Sequence, residues 1–460
     1  MTKTRTTKDF TSGPIFGPMV MFSIPIVVAA FLQQLYNTAD KIVVGQFSAE
    51  PNALGAIGCT ASLYTLLVAL CNGLSMGSGV TVAHRFGEHD TRSLSRAVHT
   101  AFSVGTAVGV FIGLVGFFFC RPLLILIGTK AEFLELSVLY LKIICLGTPF
   151  SILYNFGAAV LRSLGNAKAP LWILGLSGLL NVGFNILFVL AFGMDVDGVA
   201  YGTIISQLVS AVAVWWMIAY KTDAVRFRLR DLCVDKRSVS DIVRIGLPSG
   251  VQAALFAVSN VLIQSAINTF DPATVTGDAI CKSIGSYTAV TATGVYQAVL
   301  TFTGQNAGAK KRDRVRRVLY YGMLLEAIAC VLVGCGSALL ADPLISLFMD
   351  PSYPDIPVIV AAAKERMYIV LVPYFLAGVM DALTGHLRGR KCSLIPMFST
   401  LVCTCVFRVL WIVFLFPHLP HTLTYLYLCY IVSWILTMLC HLVTVLWLNR
   451  REKRKEVPAQ

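Results

Sequence analysis

Gln33, Tyr36, Asn37 and Asp40 fall at i, i+3, i+4 and i+7, which places all four on one face of a helix. The run around them is apolar and continues through Ile42-Val43-Val44. Asp40 is therefore a carboxyl group set among hydrocarbon side chains. Keeping an ionised group at the middle of a bilayer costs about 2.5 kcal/mol or more. A carboxyl in that position can carry a proton, or hold a cation with help from neighbouring amides. The plain alternative is that Asp40 ends its helix at the water interface. Asn181 and Asn185, four residues apart, and Asn155 are further polar groups inside apolar runs of the same half of the chain. They can share a proton network with Asp40 or simply hold helices together. Lys142 lies at a depth from which it can approach Asp40. Pro25, early in the helix of Asp40, removes one backbone hydrogen bond and favours a bend.

The second half offers Asp381 and Glu326 inside apolar runs, and a stripe of Gln252, Asn260, Gln264 and Asn268 at multiples of four. Asp381 is a second candidate for ion binding, or else a structural partner for Arg388 or Arg390. Arg408 is expected to lie too far along its helix to reach Asp381, by about 15 Å at 1.5 Å per residue.

These residues need helices to position them, and the composition supplies many. Of 460 residues, 56% are hydrophobic and 13% charged, against about 25% charged in soluble chains. Twenty or so apolar residues cross a hydrocarbon core of roughly 30 Å. The chain has twelve such runs, at about 15–39, 53–78, 97–119, 133–157, 169–192, 198–219, 242–268, 277–303, 316–340, 361–386, 393–416 and 423–448. The polar tail Met1 to Gly13 precedes them without an A-x-A-like cleavage site, so the first run reads as a retained span. The thirteen cysteines are scattered and form no CxxC pair, which favours reduced, structural thiols.

Charge sets the orientation. Alternate loops and the two tails hold 29 of the 37 Lys and Arg residues, while the other loops carry Glu50, Glu132, Asp195, Asp197, Asp271, Asp342, Asp350 and Asp355. Positive-inside bias then puts both termini in the cytoplasm. The net charge of +13 is accounted for by topology and anionic lipid, with no call for nucleic acid. The chain also repeats itself. Ser23-Ile-Pro25 recurs as Gly246-Leu-Pro248, Arg85-Phe-Gly87 as Asn306-Ala-Gly308, and Arg121-Pro-Leu123 as Asp342-Pro-Leu344; Gly165 recurs as Gly389. Each half holds an even number of helices, so the halves are related by an axis along the membrane normal. The expected fold is an all-α membrane protein of twelve transmembrane helices in two six-helix lobes related by a pseudo-two-fold along the membrane normal. Its parts are a cytoplasmic tail (1–14), an N-lobe (15–219), a basic cytoplasmic linker (220–241), a C-lobe (242–448) and a second cytoplasmic tail (449–460).

The runs Pro25-Ile-x6-Gln33-Gln34-Leu-Tyr36-Asn37-Thr-x-Asp40-x4-Gly45 and Ala53-Leu54-Gly55-Ala56-Ile57-Gly58 resemble the first-helix signature of multidrug and toxic compound extrusion (MATE) transporters. Gly73-Leu-Ser-Met-Gly77, Leu161-Arg162-Ser-Leu-Gly165-Asn166, Gly198-Val-Ala200-Tyr-Gly-Thr203, Phe302-x-Gly304-Gln305-Asn306-x-Gly308 and Leu387-Arg388-Gly389 match as well. The resemblance spans about Ile15 to Trp447 and is nearest to the branch of the DNA-damage-inducible members. It implies a two-lobe, V-shaped bundle that exports cationic, often aromatic compounds in exchange for protons or sodium. It implies that Asp40 is the coupling carboxylate, that helix 1 bends near Pro25, and that Asn181 lines the same cavity. Many relatives carry an aspartate where this chain has Asn185, and another branch has a glutamate in the seventh helix, where this chain has Gln252 and Gln264. One carboxylate is left in the N-lobe cavity, which favours protons over sodium. Asp381 stands where related sequences often have an acid.

No GxxxxGK[ST] run supplies an ATP loop, and no HExxH or clustered His/Cys set suggests a metal enzyme. The expected activity is antiport by alternating access, with no cofactor, a small-molecule substrate and the lipid bilayer as partners, in a monomer of a bacterial inner membrane. A lipid-linked saccharide flippase of the same superfamily would want a strongly basic cavity, and a lipid-modifying enzyme an interfacial His/Asp or metal site.

Overall fold

The computed structural model describes residues 6–47, 53–349 and 355–454. Glu50 and Asp350 of the charge pattern fall outside the described residues, and so does the side chain of Asn37.

Among the described residues twelve long helices follow one another: α1 (Phe16–Phe47), α2 (Ala53–Gly87), α3 (Thr91–Leu126), α4 (Ala131–Ser163), α5 (Lys168–Ile186, running on through a π-turn, Leu187–Ala191) and α6 (Val196–Lys221). The second half gives α7 (Lys236–Ile267), α8 (Pro272–Gly308), α9 (Arg312–Leu339), α10 (Ile356–Gly389), α11 (Leu394–His418) and α12 (Leu423–Arg454). Eleven of them are long and apolar enough to cross a membrane, so this is a multi-pass membrane protein. The exception is α8, which at 37 residues has ample length but carries Asp278, Lys282 and many hydroxyl side chains.

Most helices outrun the apolar windows read from the sequence. Hydropathy marks the hydrocarbon-crossing part, whereas the helix continues through the interface until a cap stops it. Asp90 caps α3, taking the amides of Arg92 and Ser93 at 3.0 and 3.2 Å and the Ser93 hydroxyl at 2.6 Å. Asp235 does the same for α7 through Ser238, and Asp271 for α8 through Thr274. The hydroxyl and amide of Ser93, Ser238 and Thr274 hold these three carboxyls below the usual carboxylate range. A depressed folded-state pKa gives stability that is present above the unfolded value and lost as pH falls. The three caps should therefore survive mild acid and let go only below the ordinary carboxylate range, which amide exchange at the helix starts would register. Inside α10, a π-turn (Met367–Leu371) and a 3-10 turn (Val372–Tyr374) surround Pro373, whose missing N–H breaks the regular ladder.

Two compact units result. The first holds Met1–Gly13, Ile24–Val251 and Gly304–Lys311, the second Pro14–Ser23, Gln252–Thr303 and Arg312–Gln460. Helices α1 and α7 change unit at Ser23/Ile24 and Val251/Gln252, beside their repeat-equivalent prolines, Pro25 and Pro248.

In the first unit the core lies between α3, α4 and α6, where Val98, Ala101, Ile152, Phe156, Val160, Val214 and Trp215 are buried together. Gly105, Gly109 and Gly113 of α3 face α4. A Cβ on Gly109 would stand 2.8 Å from the Pro149 Cα, and one on Gly113 2.8 Å from the Cys145 carbonyl. The glycine run is a helix-packing surface, as its spacing suggests.

A second close crossing joins the two repeat copies. A Cβ on Gly87 would overlap the Gln305 carbonyl, and one on Gly308 would overlap the His84 carbonyl. The contact is reciprocal, because Gly87 and Gly308 are repeat equivalents, as are His84 and Gln305. Gly308→Ala should force the two backbones apart and lower the midpoint of thermal unfolding by several degrees. A midpoint within one degree of wild type would show that the crossing yields freely.

Candidate functional site

Helices α1 and α5 run side by side, and their polar faces meet. Gly178 leaves room for the Tyr36 ring, whose hydroxyl donates to the Gly175 carbonyl at 3.0 Å. One turn further along α1 the Asp40 carboxylate accepts a hydrogen bond of 2.6 Å from the Asn185 amide. Gly175, Gly178 and Asn185 share one face of α5, so helical periodicity on both partners sets this register. Asn185 is fully buried and its Oδ1 has no hydrogen-bond partner among the described residues. That oxygen presses against Gly202 of α6, where any larger residue would displace it.

Asn181, one turn before Asn185, reaches a different partner. Its amide donates to the Thr203 hydroxyl at 3.2 Å, and that hydroxyl donates to the Val199 carbonyl at 2.9 Å. The two α5 amides thus divide the roles that the sequence left open: Asn185 meets the carboxyl, and Asn181 ties α5 to α6. Thr203 was not singled out from the sequence as a site residue, although it ends the glycine-rich run Gly198-Val-Ala200-Tyr-Gly-Thr203. Asn155 lies apart and donates to Asn72 of α2 at 3.3 Å. Gln33 is exposed on α1. Lys142 stands over the Phe117 ring, 5.8 Å from its centroid, and among the described residues no ion pair joins it to Asp40. Val43 and Val44, in the turn of α1 after Asp40, pack with Ile57, Val189, Val196 and Val199 in an apolar cluster with Tyr140 at its edge, and Tyr140 lies within electrostatic reach of Asp40. The result is one carboxyl, one amide donor and one amide oxygen without a partner among the described residues, beside an apolar cluster. Such a group can bind a proton, or offer oxygens to a small cation.

The second unit has a polar system of its own. Glu326 of α9 is fully buried, with Oε2 3.9 Å from the Cys330 sulfur, and it lies within electrostatic reach of Asp381 on α10. Arg388 donates to the Tyr296 hydroxyl and to Gln252 Oε1, both at 2.7 Å, while Arg390 pairs with Glu452 at 2.5 Å. Asp381 lies within electrostatic reach of Arg388.

Most of the α7 stripe serves buried bases. Three of its four amides accept from one base each, Gln252 from Arg388, Asn260 from Arg408 at 3.5 Å and Gln264 from Lys282 at 3.1 Å, while Asn268 accepts from Gln264 at 3.2 Å. Arg408, fully buried, also donates to Ser433 at 3.0 Å and lies over the Tyr430 ring, 4.5 Å from its centroid. Asp278, Arg366 and Tyr427 form a buried triad in which Arg366 and the Tyr427 hydroxyl both donate to Asp278 Oδ1.

Neither Asp278, Lys282 nor Arg366 was picked out from the sequence. The rule that found Asp40, an ionisable residue inside an apolar run, would have found all three.

Comparisons with known proteins bear on the family and the fold. The MatE family model matches residues 25–187 and 248–413, two stretches that begin at Pro25 and Pro248, the pair from which the repeat was read. The probable multidrug resistance protein YpnP of Bacillus subtilis is 27% identical over 403 residues, spanning 87% of this chain and 88% of that one. The multidrug export protein MepA of Staphylococcus aureus is 25% identical over 389 residues, 83% of each chain. Among solved structures, an outward-facing multidrug resistance MATE family transporter of the MOP superfamily superposes with a TM-score of 0.84 at 24% identity, covering 97% of this chain and 98% of that one. A MOP superfamily transporter from Pyrococcus furiosus gives 0.84 at 23% identity, covering 96% and 97%. At these identities the structural likeness speaks for the fold.

Proposed function

The chain belongs to the MatE family, and on that premise we propose that it is a secondary active exporter of cationic amphipathic small molecules, driven by exchange for protons. The observation that carries the coupling is the Asp40–Asn185 hydrogen bond beside the apolar cluster of the first unit. A lone carboxyl can take one proton and change its charge by one, whereas sodium wants several oxygens around it. In its charged form Asp40 favours a cationic substrate. Protonation from the outer side removes that charge and releases the substrate outward. A membrane potential supplies about 2.3 kcal/mol per charge per 100 mV, and one pH unit adds about 1.4 kcal/mol. The charge pattern of the loops supports a bacterial inner-membrane location with both termini cytoplasmic. The relatives named as multidrug proteins support a small-molecule substrate. We take the working unit to be a monomer.

The buried bases of the second unit do not favour a flippase for an anionic lipid-linked saccharide. Arg366, Arg388 and Arg408 each have partners inside the protein, as a structural role requires.

The test is uptake of an aromatic cation such as tetraphenylphosphonium into proteoliposomes, with proton and sodium gradients imposed separately. Uptake under the pH gradient alone is expected, and uptake under sodium alone would replace the proton by sodium in this scheme. Asn185→Asp supplies a second carboxylate beside Asp40 and is expected to make transport respond to sodium. A variant indifferent to sodium up to 100-fold excess over protein would count against this pair as the ion site.

A further inference from the structure

The stretch before α1 is held in place by the residues of two sequence motifs that the coupling mechanism does not use. The Lys8 amide donates to the Leu164 carbonyl at 3.0 Å, where Gly165, with φ of +83°, lets the backbones touch. The Phe10 amide donates to Gln305 Oε1 at 2.9 Å, and Asn306 donates to the Phe10 carbonyl at 3.2 Å. Lys311 donates to the Thr11 carbonyl at 2.9 Å, and the Thr6 hydroxyl to the Lys221 carbonyl at 2.5 Å. Phe10 and Thr11 are buried.

Gln305 is the centre of this arrangement. Its side chain is fully buried, and both ends of the amide are used: Oε1 takes the Phe10 amide, and Nε2 donates to the Ser163 carbonyl at 2.8 Å. It therefore joins three parts of the chain, the pre-helical segment, the end of α4 in the first repeat copy, and the end of α8 in the second. Its own carbonyl lies under Gly87 in the reciprocal glycine crossing. Hydrogen bonds of 2.8–2.9 Å are lost beyond about 3.5 Å, so a separation of the copies of under 1 Å at this end breaks the joint.

We propose that Gln305 is a positioning residue for the transport cycle, clasping Thr6–Gly13 across the basic ends of the two repeat copies, and that the clasp opens whenever those ends part. The cycle is taken from the export reading above; the clasp itself is a property of the resting protein and can be tested without transport.

Gln305→Glu keeps the shape and the acceptor for Phe10 but faces the Ser163 carbonyl with an oxygen in place of a donor. In nanodiscs, hydrogen–deuterium exchange of a peptide covering 6–13 is expected to be at least tenfold faster in Q305E than in wild type. Peptides from the α3–α4 core should stay within twofold. In proteoliposomes the maximal rate of tetraphenylphosphonium uptake should change severalfold with half-saturation held within twofold, a split that a general loss of fold would not give. Equal exchange of the 6–13 peptide in both proteins overturns the clasp. Should Q305E not fold, wild type decides. Saturating tetraphenylphosphonium should shift exchange of that peptide at least tenfold, and an unchanged rate overturns the proposal. Wild type that moves no tetraphenylphosphonium under either gradient would sink the export reading, leaving the Q305E exchange comparison to judge the clasp.

Discussion

Asp40→Asn should abolish uphill export while leaving the protein folded. Asparagine has nearly the shape of aspartate and still offers an oxygen to the Asn185 amide now bonded at 2.6 Å. What it removes is the negative charge and the site for a proton. The side chains of the apolar cluster, Val43, Val44, Val189 and Val199 among them, supply no substitute charge, and Lys142 points to Phe117. We expect uptake driven by a pH gradient to fall at least 100-fold, with the unfolding midpoint within a few degrees of wild type. Downhill movement of the probe can persist, because the helices that form the path are intact. Uptake within twofold of wild type would take Asp40 out of the mechanism.

Breaking the Asp278–Arg366 pair should have the largest effect on stability. Asp278 is fully buried and Arg366 nearly so, and the Tyr427 hydroxyl shares the same carboxylate oxygen at 2.5 Å. Removing one member of a buried pair strands the other charge, at a cost of about 3–5 kcal/mol. Asp278→Ala leaves the Arg366 guanidinium against the rings of Tyr427 and Tyr430, 5.2 and 5.8 Å from their centroids, with no counter-charge. Replacing both, as Asp278→Ala with Arg366→Met, removes the stranded charge and should recover much of the loss. Unfolding of the purified protein in mild detergent, read as a double-mutant cycle, measures the coupling. Additive losses in the two single variants would show that the pair contributes little as a pair.

Both residues bear on how far a sequence can be read. The apolar runs, the alternation of basic and acidic loops and the recurrence of Pro25 as Pro248 are one-dimensional patterns, and each reports a constraint that acts along the chain. A bilayer demands some twenty apolar residues in succession, and lipid charge sorts loops by composition. A duplicated fold leaves its spacing behind. The helical face of Gln33, Tyr36 and Asp40 belongs to the same class, since period 3.6 needs no partner to be seen.

Pairing between helices is another matter. The sequence placed Asn181 and Asn185 on one face but could not separate them, because a difference of one turn decides whether an amide meets Asp40 on α1 or Thr203 on α6. The α7 amides read as a stripe, yet their three bases come from α10, α11 and α8, contacts fixed by packing over more than a hundred residues in two cases. Gln305 and Gly87 stood out as motif residues, and their purpose appeared only when the ends of α2, α4 and α8 met the segment before α1. Spacing along one helix is set by local geometry, so the chain determined its spans and their polar faces by itself. Which face meets which depends on how the helices close-pack and satisfy their buried donors, and that only the folded molecule decides.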